Sequence, residues 1–175
     1  MLDIFIPDYY YQSIFKINYA KLKKNGIKCL LYDLDNTIAP YSMHEPDKRL
    51  KDLFSLLEHK YGFKVIIMSN SGKKRLTPFK EQLNVDTSCN SRKPLSGKYK
   101  KIMKLYKFKP HEIAMIGDQL MTDVFGANRM GINSIFVNPI SKIEHIPTHV
   151  NRYFESKIIK RLNKRGILIK GEYYE

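Results

Sequence analysis

The chain alternates short, continuous apolar runs with longer stretches in which apolar residues recur every three or four positions. Four mostly apolar runs have strand length, at residues 27–32, 63–68, 112–116 and 132–137, and the more polar 85–88 is a short strand candidate. Runs that are apolar throughout, instead of alternating with polar residues, belong to strands covered on both faces. Between them lie helical patterns at 46–61, 73–83 and 99–108, a further helix ended by 128–131, and another at 150–165. The first carries Leu50, Leu53, Phe54 and Leu57 on one face, with Asp47 early and His59 and Lys60 late, as the helix dipole favours. Pro78 lacks an amide hydrogen, so the 73–83 pattern predicts a helix beginning near Thr77 with Pro78 in its first turn. Upstream, a short lead segment precedes a predicted helix at 8–25, with Asp8 as cap, Tyr11, Ile14, Phe15 and Leu22 as its apolar face and Gly26 at its end. Strands alternating with helices predict an α/β fold, a doubly wound parallel sheet. The chain is expected to be a single domain over 1–175, with an N-terminal helical segment (1–26), a core (27–137) and a basic extension (138–175).

Charge sharpens this picture. The 31 Lys and Arg residues against 17 Asp and Glu give a formal net charge of +14, which favours an anionic partner: a phosphorylated ligand, nucleic acid or acidic lipid. The excess concentrates at the end. Arg152, Lys157, Lys160, Arg161, Lys164, Arg165 and Lys170 face one acid in that span, Glu155. Such a helix is a solvated face or a surface for polyanions or anionic headgroups. Tyr9, Tyr10 and Tyr11, with Phe5 and Phe15, offer a second element that can rest at a membrane interface. No apolar stretch is long enough to span a bilayer, and Asp3 with Pro7 breaks any signal-like start, so the expected location is cytoplasmic or peripheral to a membrane. Cys29 and Cys89 lack the spacing of a disulfide framework or zinc site.

The candidate chemistry lies where the predicted strands end. Asp33 and Asp35 follow the 27–32 run two residues apart, so in extended chain both carboxylates share one side. Two like charges there repel unless a cation sits between them or one is protonated. The 63–68 run leads into Ser69, Asn70, Ser71 and Gly72, small residues able to donate to an anion. Lys73, Lys74 and Arg75 follow in a helical first turn, where cations are disfavoured without a nearby anion. A loop after 85–88 carries Arg92 and Lys93. The 112–116 run ends in Gly117 and Asp118, with Asp123 placed to fold back as a cap or as support for Asp118. Taken singly, each cluster is also an ordinary turn. In a parallel sheet, however, strand ends converge on one crevice.

In that order, Asp33-Leu-Asp35-Asn-Thr37, Ser69-Asn70, Lys93-Pro94 and Gly117-Asp118 to Asp123 resemble the four motifs of the haloacid dehalogenase superfamily of phosphotransferases. The resemblance covers 27–137. The lead segment and Asp-Asn-Thr-Ile-Ala-Pro are similar to its subclass IIIA, YqeG-type branch, related to mitochondrial phosphatidylglycerophosphate phosphatases. The resemblance implies that Asp33 is the nucleophile and Asp35 the general acid/base. It implies phosphate contacts from Thr37, Ser69, Asn70 and Lys93, with Lys93 also counted as catalytic. Mg²⁺ is implied on Asp33, the Asp35 carbonyl and Asp118, and Asp123 would orient that shell. The gaps from Asp33 to Ser69 and from Ser69 to Lys93 are too short to house a lid, so no cap domain is expected.

A site without a lid suits a bulky or surface-bound phosphomonoester, or a cover supplied by another subunit of a homo-oligomer. The leading expectation is therefore a Mg²⁺-dependent hydrolase of a phosphorylated substrate, such as the lipid phosphate phosphatidylglycerophosphate. A nucleotide or nucleic-acid end phosphatase is the alternative within enzymes. A basic, non-catalytic RNA- or ribosome-binding adaptor is the alternative from another class.

Overall fold

The computed structural model describes residues 2–141 and 146–175, with 146–150 described by backbone only. Six strands form one sheet: β1 (Tyr9–Tyr11), β2 (Cys29–Tyr32), β3 (Lys64–Met68), β4 (Asp86–Ser88), β5 (Ile113–Gly117) and β6 (Asn133–Val137). Their order is β1-β6-β5-β2-β3-β4 and every pairing is parallel. Helices α1 (Tyr19–Lys24), α2 (Lys48–Ser55), α3 (Lys73–Leu83), α4 (Gly97–Tyr106), α5 (Phe125–Asn128) and α6 (Ile146–Lys164) complete the fold. The predicted doubly wound α/β sheet is present, and among the described residues no cap domain interrupts it. β2 shows why its sequence is apolar without alternation. Leu30 and Tyr32 face one core with Phe54, Leu57 and Phe79, while Cys29 and Leu31 face the other with Tyr99, Ile102 and Met115.

The N-terminal segment departs from the sequence reading. Residues 8–25 do not form one helix: Tyr9, Tyr10 and Tyr11 pair with Ile135, Phe136 and Val137 as β1, and α1 is confined to Tyr19–Lys24. Aromatic residues favour strands, and β6 would otherwise present an open edge. Asp8 does not cap a helix; its carboxylate accepts from the Ser134 amide (2.7 Å) and so fixes the register of β1 on β6. Asn18 caps α1 instead, accepting from the Lys21 amide. Tyr10 and Tyr11 are buried, so two of the three tyrosines offered as an interfacial element are part of the core.

The start of α3 is the second correction. It begins at Lys73, not near Thr77, and Pro78 lies inside it. Arg75 holds that first turn, donating to the Met43 and Pro40 carbonyls and to Asp35. These tertiary bonds offset the one that Pro78 removes.

The C-terminal extension closes the far edge of the sheet. Leu162 and Leu168 are buried with Tyr10, Leu120, Val124 and Phe136, and Tyr10 and Tyr174 exchange backbone hydrogen bonds (2.8 and 3.0 Å). This packing lays α6 against the turn at Leu120–Val124, immediately after β5. Among the described residues no helix is long and apolar enough to cross a membrane.

Candidate active site

The carboxyl ends of β2, β3 and β5 lie side by side at the middle of the sheet, and each carries polar residues where its apolar run stops. Tyr32 is level with Ile67 of β3 and Ile116 of β5, so Asp33, Ser69 and Asp118 emerge at one rim. Asp33 remains tied to the sheet through its amide, which donates to the Ile116 carbonyl (2.9 Å). Asp33 and Ser69 border a cavity of about 400 Å³, whose lining also includes Asp35, Asn70, Arg75 and Lys93, and Asp118 is buried behind it.

Lys93 is the electrostatic pivot. Its ammonium is buried and donates to Asp33 Oδ1 and Asp123 Oδ1, both at 2.7 Å. Asn70 sets its backbone by accepting from the Lys93 amide (2.7 Å) and donating to its carbonyl (3.3 Å). Asp123 reaches inward because residue 117 is glycine: a Cβ there would lie 2.1 Å from Asp123 Oδ2. That oxygen also accepts from the Gln119 amide. Asp118 is fully buried and accepts from Thr37 Oγ1 at Oδ1 (2.8 Å) and from the Arg152 guanidinium at Oδ2. Asp35 lies nearer the opening. Its two oxygens accept from Ser71 Oγ (2.6 Å) and Arg75 Nε (3.0 Å).

The candidate residues therefore converge, with two differences of placement. Thr37 does not line the cavity, and its hydroxyl serves Asp118. The Asn70 amide is committed to the Lys93 backbone, although the residue borders the cavity. Three further residues, to which the sequence assigns no place in the site, join it. Arg75 looked like a first-turn cation awaiting an anion, and part of that anion is the Asp35 carboxylate. Arg152 and Glu155 looked like part of a solvated helix face. Instead Arg152 reaches the Asp118 carbonyl (2.7 Å) and carboxylate, and Glu155 is buried beneath it (2.9 Å). An arginine three residues before the lone acid of that span was the available signal.

The charge balance bears on metal binding. Asp33, Asp118 and Asp123 place ligand atoms within 4.8 Å of one another, all buried. With Glu155 they make four buried carboxylates facing two cations, Lys93 and Arg152, an excess matching one divalent ion. The proton affinities reflect it. Burial raises Asp33, against the pull of Lys93, and the carboxylates of Asp123 and Asp118 add to the rise. Burial pushes Asp118 up to about 6 and Glu155 to about 7, each against the pull of Arg152. Burial works to lower the Lys93 ammonium, yet Asp123 and Asp33 more than reverse it. An all-oxygen, overcharged, buried cluster fits a hard divalent cation.

Metal-free protein is consequently expected to lose stability as the pH rises. Asp118 and Glu155 keep their protons to about 6 and about 7 in the fold, but release them near about 4 when unfolded. Their contribution is fully present below the unfolded value and is lost as the pH rises through the folded one. Thermal midpoints from about pH 5 to about pH 8 should fall without metal and fall less with saturating divalent cation. A midpoint indifferent to the cation would contradict the charge balance.

A family model described as mitochondrial PGP phosphatase matches residues 2–141. The chain belongs to this family. As a PGP phosphatase family member it is also 33% identical over 162 residues to "Probable phosphatase YqeG" of Bacillus subtilis (strain 168), covering 93% of this chain and 94% of that one. It is 25% identical over 162 residues to phosphatidylglycerophosphate phosphatase 1, chloroplastic/mitochondrial, of Arabidopsis thaliana, covering 86% of this chain. The match covers 46% of that plant protein, so the chain spans about half its length. Among solved structures, the cobalt-bound form of deoxy-D-mannose-octulosonate 8-phosphate phosphatase from Haemophilus influenzae shares the fold, with a TM-score of 0.50 at 13% identity. That likeness covers 81% of this chain and 92% of that one. The chain is thus a phosphatase of this family, and its four strand-end motifs resemble those of the haloacid dehalogenase superfamily.

Proposed function

We propose that this phosphatase hydrolyses a phosphomonoester through an aspartyl-phosphate on Asp33, with Mg²⁺ as its ion and a lipid phosphate such as phosphatidylglycerophosphate as substrate. The observation that carries the catalytic part is the meeting of Asp33, Asp35, Ser69 and Lys93 at one cavity. The Asp33 carboxylate forms a bond to phosphorus as the bond to the substrate's alkoxy oxygen breaks, and Asp35 gives that oxygen its proton. Asp35, now ionised, takes a proton from water as the water attacks phosphorus, freeing inorganic phosphate and restoring both aspartates. The bond between Asp35 and Ser71 suits this cycle, since a hydroxyl accepts as readily as it donates. Lys93 and Ser69 are the donors for phosphoryl oxygens as charge shifts onto them. Asp33, Asp118 and the Asp35 carbonyl would hold Mg²⁺, which when bound supplies positive charge between the carboxylate and the phosphate.

The lipid reading is supported by the plant relative's name, by the lack of a lid domain among the described residues and by α6 beside the site, which exposes Tyr153 and Phe154 along with a row of cations. In this reading the basic extension lies on an anionic membrane and the protein works at the cytoplasmic surface. The deciding experiment compares phosphate release, with Mg²⁺, from phosphatidylglycerophosphate in mixed micelles, from nucleotides, from 5′-phosphorylated oligonucleotides and from sugar phosphates. A kcat/KM for the lipid at least about tenfold above the others is expected. A preference for nucleotides or oligonucleotides overturns the lipid assignment, and no release from any substrate overturns the catalytic one.

A further inference from the structure

Arg152 comes from α6, outside residues 2–141 that the family model matches, yet it is bonded to a carboxylate at the centre of the site. One arm of its guanidinium donates to Asp118 Oδ2. The other donates to the Asp118 carbonyl (2.7 Å) and to Glu155 Oε2 (2.9 Å). Glu155 is 2% exposed and is pinned through its other oxygen by the Met121 amide (3.0 Å). With Thr37 on Oδ1, both oxygens of Asp118 are engaged. A divalent ion on Asp118 would sit beside a guanidinium of like charge, and the two repel strongly where little water screens them.

We propose that Arg152 is the resident counter-cation of the metal site, pairing with Asp118 in metal-free protein and yielding Oδ2 when a divalent ion binds. This inference rests on the metal-dependent reading of the site. Glu155 is the second arm: fixed and buried, it keeps Arg152 neutralised once Asp118 is given up. With an ion present, the excess of two buried negative charges is cancelled and the Arg152–Glu155 pair balances itself. Without one, Arg152 lessens the repulsion among Asp33, Asp118 and Asp123. Arg152 is thus a positioning residue that couples the seat of α6 to the occupancy of the ion site.

The two residues of one ion pair should then act in opposite directions, which a merely structural pair would not do. In chelator-stripped protein without substrate, Mn²⁺ affinity is measured by calorimetry and by the electron paramagnetic resonance of free Mn²⁺. Arg152→Gln is expected to tighten Mn²⁺ binding about tenfold, and Glu155→Gln, which leaves Arg152 wholly to Asp118, to weaken it about fivefold. In the double variant the Glu155→Gln loss should vanish, because Glu155 acts through Arg152. Weaker or unchanged binding in Arg152→Gln, or a Glu155→Gln loss that persists in the double variant, overturns the proposal. Should a variant fail to fold, wild-type protein decides. The Arg152 Nε–Hε resonance, identified by its loss in Arg152→Lys, should shift along the Mg²⁺ binding isotherm, and an unmoved resonance overturns the proposal. Wild-type protein that binds neither ion would overturn the metal-dependent reading itself. Binding that ignores Arg152 overturns only this step.

Discussion

Replacing Asp33 by asparagine is expected to lower phosphate release from a generic aryl phosphate by at least about a thousandfold while leaving the fold intact. The amide keeps the shape of the carboxylate and can still meet Lys93, but it is too weak a nucleophile to form the covalent intermediate. The same change removes one of the four carboxylates crowded into the site, one whose proton affinity is raised by burial, against the pull of Lys93, and by its acidic neighbours. Metal-free Asp33→Asn should therefore melt no lower than wild type, and higher at alkaline pH where repulsion among the carboxylates is greatest. Its divalent-ion affinity should fall, since one ligand loses its charge. Parallel assays of phosphate release, thermal midpoint and Mn²⁺ binding check the three outcomes together. Retained turnover would remove Asp33 as nucleophile, whereas lost turnover in a destabilised variant would leave unfolding as its cause.

The sequence disclosed those parts of the molecule whose environment is written locally. β2, β3, β5 and β6 are legible because a strand buried on both faces needs an unbroken apolar run. Asp33 and Asp118 are legible only together, because each acid alone also reads as a turn while the ends of parallel strands converge on one crevice. β1 was not legible. Asp8 followed by tyrosines and spaced apolar residues also satisfies a capped helix, and the choice was made by β6, from the other end of the chain. The role of Arg152 was hidden for the same reason, since its partner Asp118 lies in another element and only the unmatched acid Glu155 hinted at a buried pair. Arg75 gives an intermediate case. A cation in a helical first turn calls for an anion, and the sequence could not say that this anion is the protein's own Asp35. Pro78 within α3 shows tertiary bonds overriding a local rule, because Arg75 anchors the turn that proline alone would have ended.

Lys93→Met is expected to move stability in the direction opposite to Asp33→Asn. The methionine fills nearly the same space, so the change tests charge and not packing. Lys93 is one of two cations set against four buried carboxylates, and both of its bonds go to acids that are themselves buried. Removing it leaves Asp33 and Asp123 unpaired in a site already short of positive charge, a loss of about 3–5 kcal/mol for breaking a buried pair. For a chain of this length that corresponds to a fall of about 10 °C in the thermal midpoint of metal-free protein. Saturating divalent cation should recover part of the fall, since an ion on Asp33 and Asp118 supplies some of the missing charge. It should not recover activity. In the proposed mechanism the ammonium meets phosphoryl oxygens that gain charge during transfer, so turnover should stay at least about a hundredfold down even where folding is restored. The double variant Asp33→Asn with Lys93→Met removes one charge of each sign, and its metal-free midpoint should lie above that of Lys93→Met alone. Thermal unfolding of the four proteins with and without Mg²⁺ measures this directly. If Lys93→Met were as stable as wild type without metal, Lys93 would not be the cation that holds these carboxylates together.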